Sequence, residues 1–71
     1  MNESELVGMT FIEAAKLQQH AKIKECEAKI ALYVNASQGI ADHSDIMIEI
    51  INAAAEGSHA EDVLNFLEER W

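Results

Sequence analysis

Ala36-Ser37-Gln38-Gly39-Ile40-Ala41-Asp42-His43-Ser44-Asp45 reads as a helix stop followed within a few residues by a helix start. Gly39 can supply the left-handed residue that helix stops often use, with Ile40 packing back on Val34. Asp42 can cap the next helix, with Ser44 as the competing cap, and Asp42 and Asp45 suit the positive end of a helix dipole. Before this stretch lies a long Ala/Glu/Lys/Ile segment, and after it an equally long Ile/Ala/Glu segment. A chain that stops one helix and promptly starts another most simply folds back as an αα-hairpin. The expected fold is therefore all-α, with a first helix over about residues 10–37 and a second arm over about 42–70.

Working toward the N-terminus, Thr10-Phe11-Ile12-Glu13 matches a capping box. The Thr10 hydroxyl accepts from the amide of Glu13, whose carboxylate reaches back to the Thr10 amide. Residues 1–9 then read as a flexible leader to a single domain spanning 1–71. One apolar stripe of the first helix runs Ile12, Ala15, Gln19, Ile23, Cys26, Ile30, Tyr33, Val34, close to a heptad spacing. Nearly opposite lies a second stripe, Ala14, Leu17, Ala21, Ala28 and Leu32. Two narrow faces suit a helix sandwiched between the second arm and another chain. The plain alternative is a helix that exposes alanines to water.

Toward the C-terminus two readings of the second arm compete. A heptad register continues through Ile46, Ile50, Ala53, Gly57, Ala60, Leu64, Leu67 and Trp71, which suits one helix. Gly57-Ser58-His59-Ala60-Glu61 reads instead as a stop and restart, with Ser58 and Glu61 forming a capping box. The apolar stripe also rotates at that point, so a kink or break near Gly57 is expected. Trp71, in phase with Leu64 and Leu67, either closes the open end against Phe11 and Ile12 or stands as an aromatic anchor for a partner.

The whole-chain numbers narrow the function classes. At 71 residues the chain is one domain too small to bury a generous core alone. It has no proline, three glycines and one cysteine, so no internal disulfide is available and a reducing compartment is expected. Its net charge of −8 is uneven. Residues 10–36 carry four lysines against three glutamates, and residues 40–71 carry eight acids against Arg70. That balance argues against direct binding of nucleic acid or anionic membrane. The apolar run at residues 46–51 is far too short to span a membrane, and the acidic N-terminus does not resemble a signal peptide. A cytoplasmic location is expected.

No constellation for chemistry is evident. His20, His43 and His59 are far apart and match no zinc spacing, and Cys26 sits on an apolar stripe where core packing explains it. Glu68 and Glu69 have no apolar surroundings to raise a pKa. Catalytic, cofactor and metal sites are accordingly not expected.

The segment Gly39-Ile40-Ala41-Asp42-His43-Ser44-Asp45-Ile46, set between two amphipathic helices, is similar to the turn of small uncharacterised phage-encoded helical proteins. Their turn typically reads Gly-Ile-Gly-acidic-His-Pro/Ser-Asp-Ile, and their second helix runs on uninterrupted; Ala41 and Gly57-Ser58 depart from that pattern. The resemblance implies a helical hairpin of viral origin and brings no activity with it. The resulting expectation is a non-catalytic interaction or structural protein. It forms a homo-oligomer, with a helical-bundle dimer favoured, and as a phage accessory factor it binds a host protein. Ala14, Leu17, Ala21, Ala28, Leu32 and Trp71 are the candidate contact residues. The alternative is an acidic nucleic-acid mimic that blocks a host nucleic-acid-binding protein through its second arm.

Overall fold

A computed structural model describes residues 1–36 and 44–71, without the side chains of Ala36 and Ser44. It contains two helices, α1 (Glu3–Ala36, 34 residues) and α2 (Ser44–Arg70, 27 residues). They pack antiparallel, since partners of rising number in α1 meet partners of falling number in α2. His20 meets Glu68 at 3.8 Å, Lys22 meets Glu56 at 3.4 Å, and the Tyr33 hydroxyl donates to Glu49 at 3.4 Å. The fold is the expected all-α hairpin. The stop and cap assigned to Gly39 and Asp42 lie outside the described residues, as does the side chain of Ser44.

The first helix starts well before Thr10. Asn2 caps it: its side-chain oxygen accepts from the Glu5 amide at 2.8 Å, and its carbonyl accepts from the Leu6 amide at 3.1 Å. Glu3 and Glu5 in the first turn complement the helix dipole. Residues 3–9 are therefore helix and not a flexible leader. The Thr10–Glu13 capping box is not formed, because Thr10 already lies inside α1 and its hydroxyl donates to the Leu6 carbonyl at 3.0 Å. A threonine can be absorbed this way wherever an upstream cap has started the helix.

The second helix is also continuous, without the expected break at Gly57. Gly57 faces α1: a Cβ built there would stand 3.1 Å from the Cys26 Cβ and 3.7 Å from its Sγ. The glycine serves close approach of two helices, and neighbouring contacts hold it helical against its weak propensity. Ser58 does not start a new helix with Glu61 as its box partner; its hydroxyl donates to the Ala55 carbonyl at 3.1 Å.

The heptad register read from α2 forms the buried seam. Ala53, Ala60 and Leu64 are buried, and Ile46, Ile50, Gly57, Val63 and Leu67 are half-buried. Against them α1 sets Cys26, 2% exposed, with Ile12, Gln19, Ile23, Ile30 and Tyr33 half-buried. With Cys26 across from Gly57, the antiparallel register levels Ile30 with Ala53, Ile23 with Ala60, Gln19 with Leu64 and Ile12 with Trp71. At two levels an isoleucine of α1 thus meets an alanine of α2, and between them Cys26 meets Gly57 at close approach, which closes the narrow middle of the seam.

The seam is nearly all the core there is. The molecule measures 60 × 15 × 13 Å with a radius of gyration of 16.9 Å, whereas a compact chain of this length has about 11 Å. It exposes 5404 Å², against about 4,400 Å² for a compact chain of the same mass. No described helix is long and apolar enough to cross a membrane.

Candidate interaction surface

Two-helix packing settles only one side of each helix. On α1 the side turned away from α2 carries Val7, Ala14, Ala21 and Ala28, one heptad apart. Phe11, Leu17 and Leu32 flank them at 71%, 68% and 65% exposure. This is the second stripe read from the sequence, and Ala14, Leu17, Ala21, Ala28 and Leu32 are all exposed in the hairpin. Phe11 and Val7 belong to the same face. Val7 escaped the sequence reading because residues 1–9 were assigned to a leader, and Phe11 because it was placed at the open end against Trp71.

A second apolar patch lies on α2 near the turn, where Met47, Ile48 and Ile51 are each more than half exposed. They occupy positions off the seam, which takes Ile46 and Ile50 from the same segment. A third feature marks the open end. There the start of α1 runs on beyond the end of α2, and Trp71 lines a recess of about 450 Å³ with Met1, Glu5, Gly8, Met9 and Ile12. Trp71 remains 56% exposed. Ile12 shares its surroundings as expected, but Phe11 does not line the recess and points to the outer face of α1.

The charges decorate the flanks. Lys22–Glu56 and His20–Glu68 cross between helices, while Lys29–Glu25 and Lys24–Glu27 lie within α1 at 3.5 and 3.4 Å. All are solvent-exposed pairs, screened by water and salt, so they add little to stability. The Lys22 ammonium is held above its ordinary pKa, chiefly by its hydrogen bond with Glu56 and then by the field of Glu25. At the end of α2 the Arg70 guanidinium lies 3.6 Å from the centre of the Phe66 ring and 3.7 Å from Glu69. Glu61, Asp62, Glu68 and Glu69 recur at a heptad interval along α2, with Glu68 on the flank that faces His20 of α1.

Side chains able to hold a metal or act in catalysis are dispersed. Among the described residues no three of His, Cys, Asp and Glu gather in a metal-binding group. His20 faces Glu68, while His59 lines a groove with Gln18, Lys22 and Val63. Cys26 is buried in the seam as a free thiol. Of the expected cap residues, Thr10, Glu13, Ser58 and Glu61 lie inside helices. What the arrangement offers is apolar helical surface bordered by salt-bridged flanks. No protein-family model, curated protein or solved structure matches this chain.

Proposed function

We propose that this chain is a non-catalytic interaction protein whose hairpin works in self-associated form and offers its remaining apolar surface to a protein partner. One observation carries the reading. The hairpin leaves thirteen large apolar side chains at least one-third exposed among the described residues, while only Cys26, Ala53, Ala60 and Leu64 are buried. Scattered exposed hydrophobics are ordinary, but contiguous faces on both helices mark association surfaces. The exposed area supports the same reading, exceeding that of a compact chain by roughly 1,000 Å². A dimeric bundle covers the outer face of α1 and leaves Met47, Ile48 and Ile51 as an anchor for a further protein.

Size-exclusion chromatography with light scattering tests this directly. The expected mass is twice the 7.9 kDa of the chain. A strict monomer at high micromolar concentration contradicts the proposal.

A second reading, an acidic mimic of nucleic acid, draws on the Glu61/Asp62/Glu68/Glu69 strip. It is the weaker of the two, because a solvated acidic face also keeps a small protein soluble. Mimicry requires binding to basic proteins that falls steeply with salt, and salt-insensitive binding rules it out.

A further inference from the structure

We propose that the furrow between α1 and α2 beside Cys26 and Gly57 is a docking groove for a basic amphipathic helix of another protein. This rests on the reading of the chain as an interaction protein and gives its partner a chemistry. It is independent of how copies of the chain associate.

The two flanks of the hairpin differ. On one, Lys22 meets Glu56 and the Tyr33 hydroxyl meets Glu49, each at 3.4 Å, so polar side chains bridge the helices. On the other, Ala54, Gly57 and Ser58 of α2 are too short to fill the space beside Ile23 and Ile30 of α1. A furrow of about 200 Å³ is left, with Cys26 among its lining residues. An enclosed space of about 150 Å³ can admit a benzene ring, so the furrow has room for one large apolar side chain. Val34, Met47 and Ile51, each more than half exposed, continue its walls. Ile23, Ile30 and Val34 share one strip of α1, and Met47, Ile51, Ala54 and Ser58 share one strip of α2. The strip over residues 47–58 is about 16 Å long, which matches about three turns of a docked helix.

Charge selects the occupant. The charged side chains lining the furrow are Glu27 and Glu61, both negative. Glu61 has no cationic partner among the described residues. Glu27 has only Lys24 at 3.4 Å, an exposed contact within α1. Lysine or arginine beside the apolar ridge of a docked helix meets both carboxylates favourably, whereas acidic flanks meet like charge. The net charge of −8 draws a cationic helix from a distance as well. The same excess disfavours α2 of a second copy as the occupant, since residues 40–71 carry eight acids against Arg70.

The test titrates the full chain into a fluorescently labelled model helix of leucine and lysine, with its leucines at i, i+3, i+4 and i+7. Binding read by anisotropy should weaken with salt, and the same helix with glutamate for lysine should not bind. Glu61→Gln and Ile51→Gln should each weaken binding about tenfold or more. Glu69→Gln and Phe66→Gln make the same kinds of change outside the furrow and should leave binding as it is. Equal losses at all four positions make the attraction a property of the acidic chain at large and overturn the groove. Absence of binding, or equal binding of the glutamate helix, overturns it too. Light scattering without the model helix separates the remaining occupant. If Ile51→Gln turns a natural dimer into a monomer, a second copy fills the furrow and the inference fails. A natural chain that is monomeric overturns the self-association alone, and the titration still decides the groove.

Discussion

Gly8 and Gly57 are both helical, yet they stand in opposite surroundings. A Cβ at Gly8 meets nothing within 4 Å, while one at Gly57 meets the Cys26 Cβ at 3.1 Å. Gly8→Ala should therefore gain about 0.5–1 kcal/mol of stability from reduced backbone freedom. Gly57→Ala has the same intrinsic gain but forces the seam to open by a few tenths of an ångström, and should show no net stabilisation by chemical denaturation. Equal gains at the two positions would refute the close approach. Asn2 and Thr10 provide a similar contrast: Asn2→Ala should cost about 1 kcal/mol, and Thr10→Ala should be nearly neutral. The reverse order would restore the helix start to Thr10. Lys22 links the seam's flank to pH. Its raised folded-state pKa adds stability that is fully present below the unfolded lysine value of about 10.4. That contribution is lost as pH rises through the folded value. The melting-temperature difference between the natural chain and Lys22→Met should accordingly shrink on the alkaline side, and a difference that grows there contradicts the pairing.

Each helix had two kinds of signal in its sequence, and they differed in reach. The heptad through Ile46, Ile50, Ala53, Gly57, Ala60, Leu64 and Leu67 named the seam of α2 correctly, because burial against α1 selects that spacing over the whole helix. Cap signatures are local and recur by chance. Thr10-x-x-Glu13 and Ser58-x-x-Glu61 both match a capping box, and neither acts as one. Asn2-x-x-Glu5 has the same spacing with asparagine in place of threonine, and it is the pair at the true helix start. Gly57 was misread for a related reason, since a glycine that ends a helix and one that admits a neighbour look alike until the partner residue, Cys26, is in view. The second α1 stripe was legible from Ala14 to Leu32; its extension to Val7 was hidden by the misplaced start, and Phe11 had been assigned to Trp71 instead. At this scale Leu64, in the C-terminal part of α2, is the largest of the buried seam side chains among the described residues. Leu64→Ala should cost about 2–3 kcal/mol, enough to unfold much of a marginal hairpin, while Leu17→Ala on the outer face should leave the isolated hairpin nearly unaffected. Comparable losses at both sites, measured at a dilution where dimers dissociate, would contradict the single seam.

As a whole molecule, the hairpin is a rod with one thin core and two uncovered apolar surfaces. Four buried residues, three of them small, are a slender source of hydrophobic stabilisation for more than sixty ordered residues. In the proposed dimer, association supplies what the lone hairpin lacks, so folding and dimerisation should be coupled. The most direct test is thermal unfolding followed by circular dichroism across a wide range of protein concentration. Coupling predicts a Tm that climbs steadily with concentration. A Tm that stays constant over the whole range, with a single cooperative transition, would show that the lone hairpin is stable by itself and would contradict the account.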